Sequence, residues 1–389
     1  MADFFSGFFM QEKQIEFSTA IGKEPNWLKE YRQKNFELLE KMPLKKSKYT
    51  EVDKTWQKIK EINSEENAIE IKAKGIQALS WEQAIKEKEE ILRSVLEKEG
   101  MPSERTEALV NATFSSGIVV LAGKNFSKKE LIEIELNATK NCIAKNLFIF
   151  EENCEINILE KISAEKGFLL DESVFLEQNS QANICRIHSQ EENTVLNQNV
   201  FLGKDARMIN SNAWLSAKQT KSFVQNKLIG QGAAIQQLDF LLGKEKEFLD
   251  LNLHNIHVAS DATSYSLFKA VLEQQSKSIF DGMIKILPSG QRANALLEAH
   301  SMLLSDEASS NNIPGLEIEA DDVKATHSAS VAQLEEEHLF YLQAKGIEEK
   351  KAKKLVTESF LESVIIKMPE QFHEKISLEL QKKLESDLE

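Results

Sequence analysis

Leu131-Ile132-Glu133-Ile134-Glu135-Leu136 alternates apolar and acidic residues with a period of two. That spacing puts one face in a core and the other in water, which is the behaviour of a β-strand. Short apolar runs of the same kind surround it: Gly117-Ile118-Val119-Val120-Leu121, Leu147-Phe148-Ile149-Phe150, Ile156-Asn157-Ile158-Leu159 and Gly167-Phe168-Leu169-Leu170. The texture continues through Asn199-Val200-Phe201-Leu202, Ile235 to Leu242 and Phe248 to Leu253, with no amphipathic helix of useful length between the runs. So many short strands from 107 to 320, without the helices of a βαβ chain, allow a sandwich, a barrel or a β-helix. Two features favour a right-handed parallel β-helix. Asn and Gln are frequent (Asn183, Asn193, Asn197, Asn199, Asn210, Asn212, Asn226), and only Asp281-Gly282 suits a tight hairpin turn. No strict repeat period is visible.

On either side of this region the chain reads as helical, which gives a mainly β protein in three parts: an N-terminal helical region (1–106), a β-helix core (107–327) and a C-terminal helical region (328–389). A first helix opens at Pro25 and carries Trp27, Leu28, Tyr31, Phe36, Leu38 and Leu39 before Pro43 stops it. Ser80-Trp81-Glu82-Gln83 fits a capping box, with Gly100 and Pro102 as the stop. Ser330-Val331-Ala332-Gln333 fits a second capping box, opening a helix through Leu334, Leu339, Phe340 and Leu342 that ends where Gly346 supplies a left-handed residue. The next helix repeats Ala352, Val356, Phe360 and Val364 at four-residue intervals, with Leu355 and Leu361 widening the stripe, and stops before Pro369. A charged helix is expected over 371–389.

Composition narrows the function. The 389 residues hold 48 Lys and Arg against 62 Asp and Glu, a net charge of −14. Affinity for phosphate backbones or anionic lipid comes from basic residues, so nucleic acid and membrane surfaces are poor partners. The opening Met1-Ala2-Asp3-Phe4-Phe5 has no basic leader, and the apolar stretch Ile118–Ala122 is far shorter than the roughly 20 residues of a membrane span. These features lead to the expectation of a soluble cytoplasmic protein. Cys142, Cys154 and Cys185 are odd in number and form no C-x-x-C pair, which suits a reducing compartment and argues against a disulfide scaffold or a four-thiolate zinc site.

Catalytic signatures are mostly missing. Gly117 to Asn125 approaches a phosphate-binding loop but has one residue too many, and Asn125 stands where a magnesium-binding hydroxyl belongs. The chain is therefore not expected to hydrolyse nucleotide. His254 and His257 look like a metal pair, yet on a strand residues three apart point to opposite faces. The three cysteines read as small buried hydrophobes. Asp321-Asp322 could bind a cation or act as acid and base, but adjacent strand residues diverge, so a turn is favoured. His327 stands where strand gives way to helix, a rigid junction from which a side chain can reach a partner; a structural histidine is the other reading.

The C-terminal third carries more specific words. Leu303-Leu304-Ser305-Asp306, Ile313-Pro314-Gly315-Leu316-Glu317-Ile318, Ala320-Asp321-Asp322-Val323-Lys324, His327, Phe340-Tyr341-Leu342 and Lys345-Gly346-Ile347 resemble the SufB/SufD family of iron-sulfur cluster assembly proteins. Phe280-Asp281-Gly282 and the segment from Pro25 to Arg32 resemble two further elements of that family. Within it the chain is most similar to SufD, because Ser328, not Glu, follows His327. Two residues depart from the pattern: Ser328 where SufD has Gly, and Ala325 where the family commonly has Cys.

The resemblance implies a right-handed β-helix between helical regions and a non-catalytic scaffold. Such a subunit pairs with SufB through the β-helix, with a homodimer possible in its absence, and docks the SufC ATPase through its C-terminal helices. Here those helices present Leu334, Phe340, Tyr341, Leu355, Val356 and Phe360, although core packing is the plainer use of a helical stripe. The resemblance also gives His327 a part in iron handling or cluster assembly at the SufB interface, where it is the one soft metal donor left by Ala325. No cofactor is expected to bind tightly to this chain alone, the iron-sulfur cluster being held transiently by the complex. A β-helix enzyme acting on polysaccharide is the alternative by fold analogy. With 4 Trp and 4 Tyr the chain is poor in sugar platforms.

Overall fold

The computed structural model describes residues 24–42, 69–334 and 336–385. The opening Met1–Phe5, the stop at Pro43 and the last four residues of the expected 371–389 helix lie outside the described residues. Helix α1 (Asn26–Lys41) is followed by β1 (Ile69–Lys74), β2 (Ala78–Ser80), α2 (Trp81–Glu99, kinked at Lys88) and α3 (Arg105–Thr113). Residues 69–80 thus hold two strands in a stretch that reads as helical from sequence. The alternating strands β3 (Ile118–Ala122), β4 (Ser127–Ala138), β5 (Cys142–Phe150), β6 (Glu155–Ala164) and β7 (Phe168–Leu176) come next. The long β8 (Gln181–Leu202) and β9 (Arg207–Leu228) are each bent in the middle. The core closes with β10 (Ala234–Gly243), β11 (Phe248–His257), β12 (Thr263–Leu272), β13 (Lys277–Ile286), β14 (Asn294–Leu303), β15 (Ser309–Ile318) and β16 (Lys324–Gln333). Helices α4 (Glu336–Ala344), α5 (Glu349–Ile365) and α6 (Glu370–Glu385) end the described chain.

From β3 to β16 every pairing is parallel, and strands alternate between two sheets. The first sheet runs β4, β6, the first half of β8, the first half of β9, β10, β12, β14, β16. The second runs β3, β5, β7, the two second halves, β11, β13, β15. This is a parallel β-helix of about eight turns. Its repeat drifts from 26 residues, between Asn157 and Asn183, to 32, between Ser278 and Ser310. The drift explains why no fixed period shows in the sequence. Part of the Asn and Gln content serves the interior, where buried amides bond along the helix, as where Asn226 Nδ2 donates to Asn255 Oδ1 at 2.9 Å and to Gln237 Oε1 at 3.2 Å, while Asn197 and Asn199 face the N-terminal helices and meet Thr106 and Glu107. A parallel ladder offers few other partners for buried polar side chains, so amides must satisfy one another.

Most turns pass through one corner in a left-handed residue: Asn125, Asn153, Asn179, Asp205, Gly232, Asp261 and Arg292 all have φ between 54° and 72°. The N–H of each donates to a carbonyl on the following turn, as from Asn153 to Gln178 and from Asp261 to Gln291. Asn and Asp tolerate this conformation better than other side chains.

Both outer faces are covered. Helices α1 to α3 lie on the second sheet, where Leu28, Trp81, Leu92, Leu96 and Phe114 pack with Leu147, Leu169 and Phe201. The capping box at Ser80 is formed: its Oγ accepts from the Gln83 N–H at 3.3 Å and Gln83 Oε1 accepts from the Ser80 N–H at 3.0 Å. Helices α5 and α6 cover the first sheet, with Leu361, Val364, Phe372, Ile376 and Leu380 against Ala213, Leu238, Phe240 and Leu267.

Two local expectations are corrected. Ser330-Gln333 lies inside β16, pairing with His300–Leu303, because a free sheet edge was there to be extended and the helix begins only at Glu336. Asp281-Gly282 is the middle of β13, not a hairpin turn. Gly282 is required there by space: a Cβ would meet the Phe280 ring at 2.6 Å and Leu297 at 2.8 Å.

Candidate functional site: the open end of the β-helix

The two ends of the β-helix differ. At the start, antiparallel β1 closes the edge of β4 and β2 closes β3. At the finish, β15 and β16 have one partner strand each, β13 and β14, and their outer edges are unpaired among the described residues. In a parallel strand the N–H and C=O of one residue point to the same side and alternate along the chain. The N–H groups of Lys324 and Leu334 donate to β14, so those of Ala325, His327, Ala329 and Val331 face the open edge. In β15 the N–H groups of Ser309 and Glu319 donate to β13, which puts Pro314 on the outward set. Proline is tolerated mid-strand here because its missing donor belongs to the free edge. The second sheet is thereby blunted, while β16 presents an edge with no proline.

His327 sits in the middle of that edge. Its register partners run inward through Leu297, Ser266, Gln237 and Asn210, a column that faces the interior. Ala325, on the same face, packs against the core. With no further turn above it among the described residues, His327 is exposed at the mouth of the β-helix. Four residues further along β16, where Val331 is in register with Ser301, Ser278, Ser301 and Ser310 form a chain of 2.8 Å contacts, and Asn312 Nδ2 donates to Ser301 Oγ and to the Ser330 carbonyl, both at 3.1 Å. The mouth is therefore polar, with one imidazole and several hydroxyls.

The other singled-out residues lie elsewhere. Asp321 and Asp322 form an exposed turn in which the Asp322 N–H donates to Gln291 Oε1 at 3.0 Å. His254 and His257 fall on opposite faces of β11; His257 is buried with Nε2 2.8 Å from Ser264 Oγ, and burial takes it down to about 4. All three cysteines are buried, far back along the chain from β15 and β16. Burial raises the thiols, Cys142 to about 11 and Cys185 to about 12, so neither offers a thiolate at neutral pH. Gly123-Lys124-Asn125 is a corner turn. Among the described residues no group of three or more His, Cys, Asp or Glu is arranged to hold a metal ion. No helix among them is long and apolar enough to cross a membrane. Trp81 and Trp214 are buried and present no platform for a sugar.

The C-terminal helical residues divide into two groups. Phe340 and Tyr341 are 70% and 62% exposed, Lys345 lies over the Tyr341 ring at 5.6 Å, and Leu355 is also exposed. Leu334, Val356 and Phe360 are half-buried against the first sheet, with Lys269 over Phe360 at 4.3 Å. Sequence reading missed two buried ionic clusters. Lys145 pairs with Glu99 at 3.0 Å and Asp171 at 2.6 Å beneath the N-terminal helices, and Arg186 meets Glu160 and Glu172 inside the β-helix. Charged residues in strands otherwise read as a wet face, and only their isolation among apolar neighbours could have marked them.

Residues 134–360 match a family model described as "SUF system FeS cluster assembly, SufBD core domain". The chain is similar to the iron-sulfur cluster assembly protein SufD of Bacillus subtilis (strain 168), 29% identical over 167 residues, which are 43% of this chain and 38% of that protein. It is also similar to an iron-sulfur cluster assembly SufBD family protein of Staphylococcus epidermidis (strain ATCC 12228 / FDA PCI 1200), 27% identical over 158 residues, 41% of this chain and 34% of that protein. The chain thus spans little more than a third of the length of these relatives.

Proposed function

From the premise that the chain belongs to the SufBD core family of iron-sulfur cluster assembly proteins, we propose that it is a SufD-like scaffold subunit without catalysis of its own. It pairs with a SufB chain through the open end and holds the SufC ATPase on its C-terminal helices. The observation that carries this reading is the asymmetry of the β-helix: one end is closed by antiparallel strands, and the other ends on the free edge of β16 with His327 at its centre. A strand added to such an edge gains main-chain hydrogen bonds along its length. It would also set the partner's side chains beside His327, so a site for iron would be completed by two chains, neither of which holds it alone. Phe340, Tyr341 and Leu355 supply exposed apolar surface for SufC, whereas Leu334, Val356 and Phe360 anchor the same helices to the first sheet.

The test is to co-express the chain with SufB and SufC of the same cell and measure the mass of what elutes together. A complex containing all three is expected, and a chain that elutes alone or only with itself refutes the pairing. His327→Ala should leave that complex intact and lower the yield of cluster. An unchanged yield returns His327 to a structural role.

A further inference from the structure

Away from the open end, the interior of the β-helix holds a set of charges that does not balance. Glu160 on β6, Glu172 on β7 and Arg186 on β8 are at most 1% exposed. Arg186 Nε donates to Glu172 Oε1 at 2.6 Å, its Nη2 pairs with the same carboxylate, and its Nη1 donates to Asn210 Oδ1. Glu160 Oε2 lies 3.3 Å from Arg186 Nε but accepts no hydrogen bond. Asn146 Nδ2 reaches across both carboxyl groups, 3.4 Å from Glu160 Oε1 and 3.4 Å from Glu172 Oε2. Two acids are thus held by the same two donors, and only one of those donors is a cation.

The neighbouring interior groups do not supply the missing charge. His188, on β8, is stacked on Trp214, and burial lowers it to about 3, so it is neutral. Asp239, on β10, adds a third acid, its Oδ1 accepting from the Asn212 N–H, Asn212 Nδ2 and Gln237 Nε2. Cys142 on β5 is a thiol. Lys145 belongs to the outer face of the second sheet, committed to Glu99 and Asp171. A second buried carboxylate without a cation of its own is costly, and two carboxyl groups this close titrate as a pair.

We propose that Glu160 carries a proton in the folded protein and that losing this proton destabilises the packing of β6, β7 and β8 around it. Arg186 Nε donates to Glu172, whereas Glu160 takes only the long contact from Asn146 and a 3.3 Å approach of the same guanidinium, so the proton belongs on Glu160. Burial and the charge of Glu172 push Glu160 well above the usual carboxyl range, against the pull of Arg186. A carboxyl raised in the folded state stabilises below its unfolded value, and that stability is lost as pH rises through the folded value.

Infrared difference spectra of the full chain, titrated from neutral to alkaline pH, read this proton directly. A carbonyl band of a buried protonated carboxyl is expected at neutral pH, lost on titration, absent in Glu160→Gln and retained in Asp239→Asn. Glu160→Gln should melt at least as high as the parent at neutral pH and fall less on alkalinisation, whereas Glu172→Gln, which strips Arg186 of its counter-ion, should melt lower throughout. A parent spectrum with no such band overturns the proposal, as does a Glu160→Gln variant that loses as much stability as Glu172→Gln. Should Glu160→Gln not fold, the parent spectrum is compared with those of Asp239→Asn, Asp171→Asn and Glu107→Gln, the other buried carboxyls raised by desolvation: a band kept in all three supports the proposal, and a band lost with any one of them refutes it.

Discussion

At the scale of single residues, position on the ladder decides what a substitution does. Gly282→Ala would push a methyl into Phe280 and Leu297 and disturb the Phe268–Phe280 stack, whose ring centroids are 4.8 Å apart. Overpacking of this kind costs about 1–3 kcal/mol, and a thermal melt would measure it. Lys145→Met would leave Asp171 and Glu99 buried without their cation, and breaking one side of such a set costs roughly 3–5 kcal/mol in a denaturant titration. His188 works with the opposite sign to Glu160. Its folded value is depressed, so its contribution is complete above the ordinary histidine range and is lost as pH falls toward about 3. Melting points of His188→Gln should therefore fall less than the parent's as the solution is acidified below about pH 6.5. Sequence reading handled local chemistry well where a side chain bonds its own backbone, as at Ser80 and Gln83. It failed at Ser330 and at Asp281-Gly282, where the same letters were recruited by a ladder that local pattern cannot see.

Elements show the same division between what is local and what is not. Period-two alternation located β4, and short apolar runs located β3, β5, β6 and β7, but the exact ends came from neighbours. Strand β5 is buried on both faces only because helices from another part of the chain cover it. The four-residue stripe of α5 was legible, and its burial follows from the first sheet beneath Ala352 and Val364. Helix α6 reads as weak and charged, yet Phe372, Ile376 and Leu380 are buried. Phe372→Ala should therefore cost about 3–5 kcal/mol of stability. Phe340→Ala, on exposed surface, should leave the melt unchanged and instead weaken capture of SufC in a pull-down.

For the whole molecule, the β-helix class was readable from absences, namely few hairpin turns and no intervening helices, whereas the repeat was hidden by its drift. The free edge of β16 could not be read at all, since an unpaired edge is a property of the assembled sheet. That edge can be tested without touching the core. Ala329→Pro removes an N–H that faces outward, so it should abolish co-elution with SufB while the melting temperature holds. Ser328→Pro removes an N–H directed at β14 and should lower the melting temperature. Equal effects of the two on stability would show that β16 does not present its edge as described.

The stack of left-handed corner residues has a consequence for how such a protein changes over generations. Because each turn re-enters through the same corner and bonds only its immediate neighbours, one whole coil is a self-contained module. Duplicating or deleting a coil preserves the ladder of the coils that remain, but the covering helices, which each rest on several coils, have to be refitted. Length is then governed by the helices as much as by the ladder: a lineage that lengthens or shortens the span between the capped end and the open end must change the helices that lie along it.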